Sequence, residues 1–194
     1  MSDSSYNLVE SCTKLKRWEW FVIVILVLLP LAGGFTGARL FNNGSYKRSE
    51  FVKPSWASPT TVFSVCWSLC YLFVGVSSAL IWLRGRRINS ESLHGTVFIY
   101  GLLLGLCWIW TPLFFGFNRF GAAFGTISGA WCLTFSCATN ALRISLIASL
   151  LLLLHLLWIS YLVVLNYGVL CLNGCDVATI VANTTAVVNV TTSL

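Results

Sequence analysis

Acidic side chains are almost missing from this chain. Its 194 residues carry six Asp and Glu, and charged residues of both signs reach only 9%. A water-soluble domain carries about 25% charged residues on average. With 57% hydrophobic residues and a mean hydropathy of +0.83, this chain has lipid as its main solvent. No carboxylate lies inside any long apolar run. There is also no Ser/His/Asp set, and no glycine-rich loop that follows a strand to cradle phosphate. These absences argue against conventional acid–base or nucleophilic catalysis, and the chain reads as a non-enzyme.

The 12 basic residues give a net charge of +6, but they sit in short clusters between apolar runs. Membrane-flanking charge has that layout, whereas a nucleic-acid partner would need a continuous basic face. Of the eight cysteines, Cys66, Cys70, Cys107, Cys132 and Cys137 lie within apolar runs, where Cys behaves as a small hydrophobe. Cys66 and Cys70 share a helix face with no His or carboxylate beside them, so no metal site is expected. Cys171 and Cys175 would pair only at an oxidising end of the last run.

What remains is five long apolar runs, at about 21–40, 59–83, 96–117, 121–142 and 144–172. About 20 apolar residues cross a bilayer core, and backbone in lipid must satisfy its own hydrogen bonds. The expected fold is therefore an all-α membrane protein, a bundle of five transmembrane helices over 18–172. A polar segment (1–17) precedes it, and a Thr/Asn-rich tail (173–194) follows. The basic residues Lys14, Lys16 and Arg17 before the first run also resemble a signal-peptide n-region, and Gly33, Gly34, Gly37 and Ala38 are small enough for cleavage. The run to Leu40, however, outlasts a typical signal core.

Five spans put the termini on opposite sides. Lys14, Lys16, Arg17, Arg84, Arg86, Arg87 and Arg143 fall on the N-terminal face, against Arg39, Lys47, Arg48, Lys53 and Arg119 on the other. This bias favours a cytoplasmic N-terminus. The glycosylation sequons at Asn43, Asn183 and Asn189 all fall on the opposite face. Asn183 and Asn189 lie far enough past the last run to be modified.

Two side-chain patterns stand out. Small residues recur four apart, at Gly33/Gly37, Gly101/Gly105 and Gly121/Gly125/Gly129. Such faces let helices approach closely in lipid, either within the bundle or, for the Gly121–Gly125–Gly129 face, in a homodimer. Tryptophan is the second pattern, with nine residues. Trp18, Trp20 and Trp82 fall at run ends as belt residues. Trp67, Trp108, Trp110, Trp131 and Trp158 lie deeper, where an indole N–H needs a partner and so faces the bundle interior. Their convergence would give either a space-filling core or a flat-walled pocket for a planar ligand. His155, deep in the fifth run, is a candidate haem ligand or proton donor, or a hydrogen-bonding group between helices.

One stretch ties these patterns together. Lys53-Pro54-Ser55-Trp56, Pro59, Phe63, Trp67, Tyr71 and Gly75 resemble the second-helix signature of the TspO/MBR family, the tryptophan-rich sensory proteins and translocator proteins. The third-helix signature recurs as Tyr100 with Trp108-Ile109-Trp110-Thr111-Pro112-Leu113-Phe114-Phe115-Gly116, and the fifth as Trp158 with Leu165-Asn166-Tyr167. Gly37-Ala38-Arg39 fits the first helix. The match covers about residues 30–173.

The resemblance implies a five-helix bundle, commonly dimeric, that binds porphyrins, sterols or benzodiazepine-like ligands between its helices. Carried over by position, the pocket would be lined by Phe63, Trp67, Cys107, Trp110, Trp158 and Leu165, with Asn166 and Tyr167 alongside. The loop bearing Trp56 would close over it. The chain departs from the family at four points. Cys107 replaces an Asn, Thr126 replaces an acid, and Leu154-His155 replaces a Pro-Tyr pair. Cys171 stands where a sterol-recognition pattern after Tyr167 needs a basic residue.

Function is expected to be binding, transport or sensing of a hydrophobic small molecule, such as a porphyrin, haem or cholesterol, with no cofactor required. A membrane scaffold with reduced ligand function, or porphyrin breakdown, are the alternatives. The sequons favour the endoplasmic reticulum and secretory pathway, with the mitochondrial outer membrane as the alternative.

Overall fold

The computed structural model describes residues 16–42, 51–88 and 91–173. The described residues form five long helices and no strand: α1 (Arg17–Asn42), α2 (Thr60–Arg87), α3 (Ser92–Thr111), α4 (Phe120–Leu142) and α5 (Leu146–Asn173). All five are long and apolar enough to cross a membrane. The chain is thus an integral, multi-pass membrane protein.

Each helix runs antiparallel to the next, and two sets of contacts mark the ends of the bundle. At one end Trp18 meets Trp82, and Arg84 donates to the Ser145 hydroxyl. At the other end Val52 bonds Asn173 and Ser58 bonds Tyr161. Around the bundle α1 lies against α2, α2 against α5, α5 against α4, and α4 against α3. Looser contacts of α3 with α1 and α2 close the ring.

Small residues decide where backbones approach. Gly75 on α2 sits against α1, and a Cβ there would lie 2.8 Å from the Val27 carbonyl oxygen and 3.2 Å from that of Leu26. Pro30 on α1 has no N–H to give the Leu26 carbonyl four residues earlier. This close approach of α1 and α2 thus falls at the break in α1's own ladder. Gly33 and Gly34 leave room for the Trp108 indole and the Tyr71 ring respectively. Gly101, Gly105, Gly121 and Gly125 have open space where a side chain would be, whereas Gly129 packs on Leu106 inside the bundle.

Polar side chains in the bundle bond mostly to the backbone. Ser77 donates to the Ala148 carbonyl at 2.6 Å and Ser149 to that of Ala138 at 2.8 Å. The two bonds tie α5 to α2 and α4. In lipid such bonds, with close packing, replace the hydrophobic effect as the force between helices.

After Thr111 the backbone widens into a π turn, Pro112–Gly116. Pro112 has no N–H for the α-helical bond to Trp108, and the Phe117 amide reaches back to the Pro112 carbonyl at 2.9 Å. Asn118, at φ 51°, then reverses the chain into α4. Asn tolerates this left-handed conformation better than most residues.

Candidate ligand-binding site

The deep aromatic side chains of α2, α3 and α5 converge beneath residues 51–59. Phe63 and Trp67 are one turn apart on α2 and share a face with Tyr71. Trp67 stacks on Tyr71 at 5.1 Å and meets Trp110 at 5.5 Å. Trp110 in turn stacks on Phe114 at 5.1 Å. Phe63 stands at the centre, with Trp158 at 5.7 Å, Phe115 at 6.1 Å and Trp110 at 6.3 Å. Edge-to-face and offset pairs of this kind suit the ring quadrupoles. Cys107 and Leu165 are buried in the same core.

Trp110 is 1% exposed, and its Nε1 donates to Oδ1 of Asn166 at 3.0 Å. The Asn166 amide donates on to the Leu162 carbonyl. This pair joins α3 to α5 and orients the indole. Trp131 is held similarly by Ser160 at 2.8 Å. By contrast the Nε1 of Trp158, the Oγ of Ser58 and both ring nitrogens of His155 are buried with no hydrogen-bond partner in the structure. His155 lies one turn from Trp158 on α5, 1% exposed. Buried polar atoms without partners are uncommon, and a bound molecule is one way to satisfy them.

The segment before α2 crosses this cluster and is fastened mainly to α5. The Asn173 side chain grips Val52 twice, accepting from its N–H at 2.8 Å and donating to its carbonyl at 2.9 Å. The Ser58 N–H donates to the Tyr161 hydroxyl at 2.9 Å. Phe51 packs on Phe114 and Phe120. Gly168 admits Pro54 and the Trp56 ring, which a Cβ would meet at 3.1 and 3.2 Å.

Two of the expected site residues lie at the margin of the cluster. Trp56 sits against Gly168 of α5. It is 50% exposed and packs edge-on against Tyr161 at 6.2 Å, and Tyr161 in turn meets Trp158 at 5.1 Å. Tyr161 therefore stands between Trp56 and Trp158. Tyr167 is 58% exposed and packs on Phe124 at 5.9 Å, outside the cluster. Leu165 and Asn166 already occupy the inward face, and the next residue is turned about 100° away by the 3.6-residue repeat.

Sequence reasoning missed Tyr161, Phe114 and Phe115 as site residues. Tyr161 is detectable as the residue one turn after Trp158. The two phenylalanines are placed by the π turn, which shifts the helical phase. Gly121 and Gly125 present an open face, while Gly129 belongs to the α3–α4 contact. Asn183 and Asn189 lie outside the described residues, as does Cys175.

Residues 26–172 match the TspO/MBR family profile. Among similar proteins, the translocator protein of Ovis aries is 29% identical over 149 residues, 76% of this chain and 88% of that one. The tryptophan-rich protein TspO of Chlorobaculum tepidum is 30% identical over 152 residues, 78% of this chain and 95% of that protein. The tryptophan-rich sensory protein of Cereibacter sphaeroides is 23% identical over 155 residues, covering 80% and 93%. With the motifs, five membrane helices and aromatic cluster in agreement, the chain belongs to the TspO/MBR family.

Proposed function

We propose that this protein binds a flat hydrophobic molecule of the porphyrin, haem or sterol class in the aromatic cluster beneath residues 51–59, and thereby transports or senses it. The observation that carries this reading is the convergence of Phe63, Trp67, Trp110 and Trp158 from three helices around an unpartnered indole N–H. A planar ligand parting these rings gains stacking on several faces, and a carbonyl or carboxylate on it satisfies Trp158. The relatives' names, translocator and sensory protein, support transport or sensing.

Tryptophan quenching by protoporphyrin, haem and cholesterol tests this reading. Saturable quenching is expected, and Trp67→Ala or Trp158→Ala should each weaken it tenfold or more, about 1.4 kcal/mol. For haem, a spectrum altered by His155→Leu would assign iron ligation to that imidazole, whereas an unaltered one leaves ring stacking and the Trp158 N–H as the hold. Progressive loss of the porphyrin spectrum would shift the reading to porphyrin breakdown. No binding of any of the three would leave a membrane scaffold, a reading supported by Cys107 and by the rings' mutual stacking.

We further propose that Gly121 and Gly125 form a homodimer face, because they alone of the α4 glycine series stand open. The tail sequons support residence in the secretory pathway. A shift in gel mobility on glycosidase treatment, lost in Asn183→Gln/Asn189→Gln, is the expected outcome.

A further inference from the structure

At the bundle end opposite the aromatic cluster, the start of α1 meets the end of α2 through an interface of tryptophans and arginine. Trp18 and Trp82 meet edge to face, with centroids 5.5 Å apart and planes at 90°. The Arg86 guanidinium lies over both rings, at 4.6 Å from Trp18 and 5.0 Å from Trp82. Tryptophans at span ends sit at headgroup depth, so this arginine is held at the level of lipid phosphates.

The two rings engage the guanidinium through their π faces, and neither takes a conventional hydrogen bond from it. The planar fork of N–H donors, which matches two phosphate oxygens, therefore remains available. The surroundings are basic and exposed. Lys16, Arg17, Arg84, Arg87 and Arg143 share this end, against Glu19 and Glu91 among the described acids. Glu19 is engaged in capping the Lys16 N–H at 3.0 Å.

We propose that the Trp18–Arg86–Trp82 box is a binding site for the phosphate of an anionic phospholipid in the adjacent leaflet. The indoles hold the arginine in place before the lipid arrives, so less side-chain freedom is lost on binding than for a free surface arginine. Once Arg86 holds the phosphate, its charge and those of the neighbouring cations favour a headgroup with net negative charge over a zwitterionic one, so the preference depends on Arg86.

The test uses the purified full chain equilibrated in mixed phosphatidylserine/phosphatidylcholine micelles, with retained lipid counted by native mass spectrometry. Wild type is expected to retain phosphatidylserine about tenfold over phosphatidylcholine, and Arg86→Gln should bring the two to within about twofold. Arg119→Gln at the opposite end should leave the preference unchanged. Unaltered ligand quenching at the aromatic cluster, or an unchanged melting temperature, shows that a variant has folded. If Arg86→Gln does not fold, Arg86→Lys decides, since it keeps the charge but loses the fork, and a reduced preference is expected. Equal retention of the two lipids by wild type, or a preference surviving in the Arg86 variants, overturns the proposal. So does displacement of the lipid by millimolar inorganic phosphate, which would mark a site for the free ion.

Discussion

Trp110 and Trp158 are both deep indoles, yet their N–H groups have different fates. Trp110 donates to Asn166, whose own amide is bonded to Leu162, so the indole is fixed in a satisfied relay. Asn166→Leu would leave that donor buried without an acceptor, and a loss of about 1–2 kcal/mol is expected, read as a lower melting temperature in detergent. Trp110→Phe in the same background should add little, because the two residues act as a pair. Trp158→Phe removes an N–H that has no protein partner and should leave unfolding within about 0.5 kcal/mol of wild type. A variant that keeps its stability but loses ligand quenching would mark Trp158 as a binding group. Much of this was legible in the residues, since a deep indole had to face inward. The choice of partner was not. Asn166 and Tyr167 are neighbours in the chain, and only the helix's rotational setting decides which of them meets Trp110.

Among elements, the α1–α2 crossing brings backbone against backbone at Gly75 and leaves no room for a side chain. Gly75→Ala places a methyl 2.8 Å from a backbone oxygen that cannot rotate away, so the helices must separate. A destabilisation of about 1–3 kcal/mol is expected, with a larger loss for Val. Gly101→Ala, on an open part of α3, is the matched control and should be neutral or slightly stabilising. Both glycines look alike in sequence, and only the packing separates them. The same holds for Gly129, which is in register with Gly121 and Gly125 yet packs inside the bundle. The Pro112–Gly116 turn shows a different limit. Thr111-Pro112 signals a disturbance of the helix, but whether it yields a kink, a break or a wider turn depends on tertiary contacts. That outcome places Phe114 and Phe115 in the cluster.

For the whole molecule, five apolar runs separated by short connectors left a helical bundle as the only economical arrangement. The order of the helices around it was not readable, because small and aromatic residues line more than one face of each helix. If the open α4 face mediates self-association, Gly125→Leu should shift the dimer to monomer in detergent, read as molar mass by light scattering, without loss of folding. The loop over the cluster gives a further test. Tyr161→Phe removes the acceptor of the Ser58 N–H, and exchange of that amide should quicken about tenfold or more while that of α5 stays unchanged.

Helix α5 carries the Trp158 wall of the cluster and also Tyr161, Gly168 and Asn173, which hold the loop above it. Wall and cover therefore share one rigid body. A twist of α5 that opens space beside Trp158 must pull on the loop at three points along the same helix. Occupancy and closure become a single degree of freedom, with no separate hinge. A molecule bound in the cluster should accordingly protect the 51–59 segment from protease without touching it, and clamping that segment should tighten the molecule's binding by an equal free energy.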